Sequence, residues 1–265
     1  MLDKLGCQVL FDFTDIIDAV EFVREKGFKC VEINQTNPAF FPEKYSPQQR
    51  KKLKDSNFPI LFHAPESLSL FNLHKNVLNE ILARIYEVID FAGEIGAKGV
   101  TLHLGTAFTI SIDGKAVPIQ GILTSEYKNT LEYALKQLIE YAKGKVKLCI
   151  ENTVSFRYDI SQQLLKELLA ENLWLTWDLG HTNRKGNKII DEKFFGEFVN
   201  KVNTVHIHDN NGIEDEHKVP GTGILDFERY FKILKPVKPY LILEVRPINK
   251  AMEALESITP ILKKI

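Results

Sequence analysis

Six of the seven histidines stand at, or just beyond, the end of a short apolar run, and carboxylates stand with them. One run ends in His63-Ala64-Pro65 and the next in His103-Leu104-Gly105. Others end in Glu151-Asn152-Thr153, in Asp178-Leu179-Gly180-His181 and in His206-Ile207-His208-Asp209. Asp215-Glu216-His217 follows shortly, and a last run ends in Glu244. A carboxylate isolated in an apolar strand is expensive to desolvate, and a cation beside it offsets that cost. A lone histidine reads equally well as a satisfied core residue, but six run ends that each contribute a ligand type do not. Imidazole mixed with carboxylate suits zinc or manganese, whereas magnesium and calcium prefer oxygen alone. The expected cofactor is therefore a divalent metal, Zn2+ or Mn2+.

The elements that must carry these side chains follow from period and punctuation. Apolar runs cover Cys7–Phe13, Phe28–Asn34, Pro59–Ala64, Gly99–Leu104, Val146–Asn152, Leu173–Leu179, Val202–Asp209 and Pro239–Val245. They are nearly continuous in Val, Ile, Leu and Phe, as strands covered on both faces are. Helical patterns lie between them over Thr14–Lys26, Ser46–Ser56, Leu73–Ile95, Ser125–Ala142, Ser161–Ala170, Glu192–Asn200, Asp226–Leu234 and Lys250–Lys264. Thr14, Ser46, Ser125, Ser161 and Asp226 are the expected N-caps, and Gly27, Gly96 and Gly144 the expected stops.

Eight strands alternating with eight helices predict an α/β fold, a single (β/α)8 TIM barrel spanning residues 1–265 as one domain. A doubly wound open sheet is the competitor, but Phe11-Asp12-Phe13-Thr14 lacks the glycine-rich turn expected after its first strand. In a barrel the ends of all the strands meet at one mouth, so the ligand types above converge. Two long connections, Gly105–Gly121 and Asn210–Gly223, fall on that face. The first holds Asp113-Gly114 between alternating residues, which predicts a small hairpin.

Composition narrows the classes. Hydrophobic content of 44% and charged content of 26% are ordinary for a globular chain, and the net charge of −1 gives no nucleic-acid footprint. Cys7, Cys30 and Cys149 are odd in number and widely spaced, so buried free thiols are expected rather than a thiolate metal site. The N-terminal residues lack a signal pattern, and no apolar run approaches the roughly 18 residues that span a bilayer. A cytoplasmic enzyme without a membrane partner is the expectation.

Taken in order, the motifs HAP, HLG, ENT, DLGH, HIHD, DEH and LEV resemble those of the xylose isomerase-like barrel superfamily, which includes sugar phosphate isomerases and epimerases and endonuclease IV. The resemblance runs along the whole chain, most clearly from the third strand onward. The sugar branch implies one metal held by Glu151, Asp178, His206 and Glu244. Glu151 and Glu244 would also be the catalytic acid/base pair, moving a proton between adjacent carbons through an enediolate. His181 and His217 would then touch the substrate. The endonuclease IV branch implies three metals on nine ligands: His63, His103, Glu151, Asp178, His181, His206, Asp215, His217 and Glu244. Such a cluster would activate hydroxide against a phosphodiester at an abasic site.

The surroundings of the ligands depart from endonuclease IV. Glu66-Ser67-Leu68 follows the HAP motif, Val154-Ser155-Phe156-Arg157 follows ENT, and Thr182-Asn183-Arg184-Lys185-Gly186 follows His181. The stretch His206–Asn210, and Pro220-Gly221-Thr222-Gly223 after His217, look instead like the sugar enzymes. The leading expectation is an isomerase or epimerase whose partner is a small sugar or sugar phosphate. DNA is the substrate only under the alternative, and either reading is compatible with an oligomer. A binding barrel without catalysis has no need of so complete a ligand set. Expected substrate contacts are His208, Arg157, Arg246, Lys218 and Glu32. Arg184 and Lys185 also stand at the mouth, Asn34 is placed with Glu32 by period two, and Phe40 and Phe41 read better as loop packing.

Overall fold

A computed structural model describes residues 1–265. Eight parallel strands close into a barrel: β1 (Leu5–Val9), β2 (Cys30–Asn34), β3 (Ile60–His63), β4 (Val100–Leu102), β7 (Leu148–Glu151), β8 (Leu173–Asp178), β9 (Val202–Ile207) and β10 (Tyr240–Leu243). Each pairs with its neighbours in sequence order, and β10 closes on β1 through Leu5 opposite Leu241. The remaining two strands, β5 (Thr109–Ile112) and β6 (Lys115–Pro118), form the antiparallel hairpin expected around Asp113-Gly114. Both turn residues have positive φ, 48° and 70°, as a two-residue hairpin turn requires.

Helices α1 (Ile16–Glu25), α2 (Pro47–Asp55), α3 (Lys75–Ile95), α4 (Thr124–Ala142), α5 (Asp159–Leu168), α7 (Lys188–Glu197), α8 (Phe227–Leu234) and α9 (Ile248–Lys263) occupy the predicted intervals. A one-turn helix, α6 (Leu179–Asn183), lies outside the predicted helices. Of the expected caps, Ser46 and Asp226 hold: each accepts from a backbone N–H of its first turn. Asp15 caps α1 in place of Thr14, and α4 and α5 begin upstream of Ser125 and Ser161. Ser161 is a buried residue of the α5 interior. No helix is long and apolar enough to cross a membrane.

Side chains of a barrel strand alternate between the lumen and the helix layer. Outward residues such as Ile33, Phe62, Ile150, Trp177, Val205 and Leu243 join one hydrophobic cluster of 67 residues between sheet and helices. The lumen differs from bottom to top. At its base Cys30, Leu61 and Ile242 make a small separate apolar plug. One pleat higher on the same strands stand Glu32, His63 and Glu244. The three cysteines are buried and free, as expected.

Candidate metal centre at the barrel mouth

Because the strands are parallel and in register, the top inward position of each faces the same space. Asp178 pairs with His206 across β8 and β9, and Asn34 with His63 across β2 and β3. Three groups of His and carboxylate side chains result, each with ligand atoms within 4.8 Å of one another: Glu151, Asp178, His206 and Glu244; His63, His103 and Glu151; and His181, His208, Asp215 and His217. All nine residues of the larger ligand set fall in these groups, and His208 is a tenth.

In the first group His206 Nδ1 lies 2.9 Å from Glu244 Oε2, 3.5 Å from Glu151 Oε1 and 3.8 Å from Asp178 Oδ2. In the second, Glu151 Oε2 is 3.1 Å from His63 Nε2 and 2.9 Å from His103 Nε2. In the third, Asp215 Oδ2 is 2.9 Å from His181 Nε2 and 3.6 Å from His217 Nε2. Glu151 thus belongs to two groups at once.

Whether these groups suit a divalent ion is tested by the atoms they leave unpartnered. His206 Nδ1 and His181 Nδ1 are buried nitrogens with no hydrogen-bond partner, and both face carboxylates. An ion among Glu151, Asp178 and Glu244 would take up His206 Nδ1. Several of the opposite ring nitrogens are already held. His63 Nδ1 donates to the Ala64 carbonyl at 2.8 Å, and His217 Nδ1 to the Glu244 carbonyl at 2.9 Å. His206 Nε2 lies 2.9 Å from Glu32 Oε2 but, like Nδ1, makes no hydrogen bond. Anchoring one nitrogen aims the other at the metal.

Without an ion, protons do the pairing. Burial works against charge on His63, but the Glu151 carboxylate outweighs it and lifts the imidazole to about 9. His181 is likewise raised to about 10 and His217 to about 9, burial being outweighed by Asp178, Asp215 and Glu244. Burial pushes the Glu151 and Glu244 carboxyls up, but His103 and His206 hold Glu151, and His206 and His217 hold Glu244, well below the usual carboxylate range.

The backbone around the ligands is stapled by polar side chains that motif reading passed over. Asn152, next to Glu151, accepts from Asp178 N at 2.7 Å and donates to Asp178 O at 3.0 Å, tying β7 to β8 above the last ladder bond. Asp178 accepts from His181 N at 2.6 Å, which starts α6 and brings His181 back over the mouth. Asp209 is fully buried with no cation; Asn210, Gly221, Gly223 and Leu225 donate backbone N–H bonds to it at 2.8–3.1 Å. It folds the loop that carries Asp215 and His217. Its only outward signal was an acid directly after HIH.

A cavity of about 560 Å³ opens above the groups, lined by His103, Glu151, His181, Asp215, His217, Glu244, Arg246, Arg184, Lys185 and Arg157 among others. Several expected substrate contacts lie away from this cavity. Glu32 is 0% exposed and sits behind His206, bonded to Gln8 at 2.9 Å and Thr101 at 3.1 Å. Asn34, also buried, bonds Gln8 and Glu66. His208 is 0% exposed and faces Asp178 and Asp215. Lys218 pairs with Glu216 in a separate surface cleft.

Arg157 reaches the cavity wall, yet its guanidinium is committed elsewhere. It pairs with buried Asp191 at 2.5 and 2.9 Å and donates to the Thr153 and Asn152 carbonyls at 2.9 and 3.0 Å. Arg246 lines the cavity while bonding Glu244 at 2.8 Å and Gln8. Phe40 is buried and Phe41 lies under Arg84, so both are packing residues.

A closed (β/α)8 barrel with His and carboxylate groups able to hold metal at its C-terminal mouth defines the class of protein. The chain belongs to the xylose isomerase-like TIM-barrel family, whose pattern matches residues 20–261. A crystal structure of a D-tagatose 3-epimerase-like protein superposes with TM-score 0.80 at 25% identity, over 98% of this chain and 97% of that one. A probable endonuclease 4 of Aquifex aeolicus is 25% identical over 204 residues, covering 70% of this chain and 68% of that protein. An uncharacterized protein of Methanocaldococcus jannaschii is 27% identical over 214 residues, covering 74% and 68%.

Proposed function

We propose that the chain is a metal-dependent isomerase or epimerase of a sugar or sugar phosphate. The observation that carries this reading is that Glu151 and Glu244 flank His206 from β7 and the end of β10 and line the same cavity, whose volume of about 560 Å³ leaves ample room for a sugar. Glu151, Asp178, His206 and Glu244 would hold a divalent ion. When bound, it supplies Lewis-acid polarisation of a substrate carbonyl and hydroxyl. As a carboxylate, either Glu151 or Glu244 would take a proton from the carbon beside the carbonyl. In an isomerisation the carboxyl that has taken the proton returns it to the former carbonyl carbon while the hydroxyl proton passes to the former carbonyl oxygen; in an epimerisation the opposite carboxyl, protonated from solvent, delivers its proton to the other face of the same carbon. Arg246, braced against Glu244, and Arg184 and Lys185 on the wall are placed to orient hydroxyls or a phosphate.

The test is solvent-deuterium incorporation into a panel of ketoses and ketose phosphates by protein loaded with manganese or zinc. Exchange at a carbon beside the carbonyl is expected, and its loss in Glu151→Gln. No exchange on any member, from fully loaded protein, overturns the reading. A zinc phosphodiesterase is the second reading, favoured by the His63–His103–Glu151 and His181–Asp215–His217 groups beside the first. Salt-sensitive nicking of an abasic-site duplex supports it.

A further inference from the structure

We propose that the N-terminal end of the barrel lumen, opposite the metal centre, is a binding site for a diphosphate group, held by Lys4, Lys98 and Lys147. Period two fixes which side chains line it. Lys4, Lys147, Trp174 and Tyr240 stand four residues before Gln8, Glu151, Asp178 and Glu244, so they share the lumen face and lie at its other end. A cavity of about 460 Å³ opens there, lined by Lys4, Lys98, Lys145, Lys147, Asn203 and Tyr240 among others, with no carboxylate in its wall. Asn203 is the extra residue of a bulge in β9, where Val202 pairs with Leu175 and Thr204 with Thr176. It is 6% exposed, and Gly99 leaves it room: a Cβ there would lie 2.7 Å from Asn203 Nδ2.

Of the four lysines only Lys145 has an acidic partner, Asp90 at 2.6 Å. Lys147 donates to the Asn203 amide oxygen at 3.1 Å, and Lys4 to the Lys238 carbonyl at 2.8 Å. An ammonium has three donors, so each keeps two free. Like charges gathered without a counter-charge repel. Burial first, then Lys4 and Lys201, hold the half-buried Lys147 ammonium below the usual lysine range. A polyanion would relieve that repulsion. Each phosphoryl group carries about −1.5 to −2 charges at neutral pH, so two of them match three ammoniums. A nucleobase finds no free ring to stack on: Lys147 covers Trp174 at 3.6 Å and Lys4 covers Tyr240 at 4.7 Å from the ring centroids. The site therefore reads phosphate charge alone. The competing role is a plug, in which the lysine stems merely cover those rings and no anion is needed.

Calorimetric titration of the full-length protein with inorganic pyrophosphate tests the proposal, and saturable binding is expected. Lys147→Met keeps the stem over Trp174 and removes the charge. It should weaken binding by about 10-fold or more, the cost of one charge-assisted hydrogen bond. Lys98→Gln, on an exposed side chain where folding is not at risk, should do the same. Arg184→Gln at the opposite mouth should leave this binding unchanged. ADP should bind no more tightly than pyrophosphate, and sulfate more weakly. Absence of saturable binding overturns the proposal. So do lysine variants that bind like the unaltered protein, or a loss in Arg184→Gln instead, which would put the anion at the mouth. Tighter binding of ADP, equal binding of sulfate, or a single-stranded DNA that binds where pyrophosphate does not, overturns it as well. None of these readouts involves turnover, so they stand apart from the isomerase reading.

Discussion

Consecutive residues of one strand serve two regions with opposite rules. Ile150, Trp177, Ile207 and Leu243 face the helix layer, which is mostly apolar and where close packing decides stability. Glu151, Asp178, His206, His208 and Glu244 alternate with them and face the lumen, where charge pairing decides. The shell tolerates no cavity and the lumen tolerates no unmatched charge. A barrel can keep both because the two regions share a backbone but no side-chain contact layer, so the site is built on strands held from outside.

Neighbouring substitutions should separate the two regions. The largest effect is expected from Glu151→Gln, which should lower turnover by about 10²–10⁴-fold, the range for a general acid or base, with a near-native circular dichroism spectrum. Ile150→Ala, one residue away on the outer face, should do the reverse: a loss of roughly 2–5 kcal/mol in denaturant unfolding, with turnover per folded molecule preserved. Equal effects from both would break the division. Arg157→Ala tests the rim where the regions meet. It strands buried Asp191 without its partner and should cost about 3–5 kcal/mol, seen as a lower denaturation midpoint.

Charge pairing in the lumen also predicts a pH dependence for the metal-free protein. His63, His181 and His217 are raised in the folded chain above an unfolded value near 6.5. Their contribution is complete below about 6.5 and is lost as pH rises through about 9 to 10. Melting temperature of the stripped protein should therefore fall across that window, and zinc, by replacing those protons, should flatten the profile. An unchanged midpoint between pH 6.5 and 10 would show that the imidazoles do not pair as described. Smallest of all, Ile112→Ser on the exposed β5–β6 hairpin should move stability by no more than about 0.5 kcal/mol in the same unfolding assay.

Much of this was legible in the sequence because barrel strands repeat one simple pattern. The positions of all eight strands, the hairpin turn and the clustering of histidines with carboxylates follow from period two and from where apolar runs stop. Strand ends were placed one to four residues long, notably Cys7–Phe13 against Leu5–Val9, because Phe11 and Phe13 look like strand residues and lie in a loop. The caps of α4 and α5 were misplaced because Ser125 and Ser161 carry the right side chain one or two residues inside the helix.

By itself the sequence determined which residues point into the lumen, since alternation along a strand is local. Only the tertiary structure decided what each one meets there. Whether Glu32 faces a substrate or the back of His206, and whether Arg157 is free or locked to Asp191, depends on residues tens of positions away. So does the meeting of His208 with Asp215 and His217, which the strand and the loop after it bring together only once Asp209 has folded that loop over the mouth.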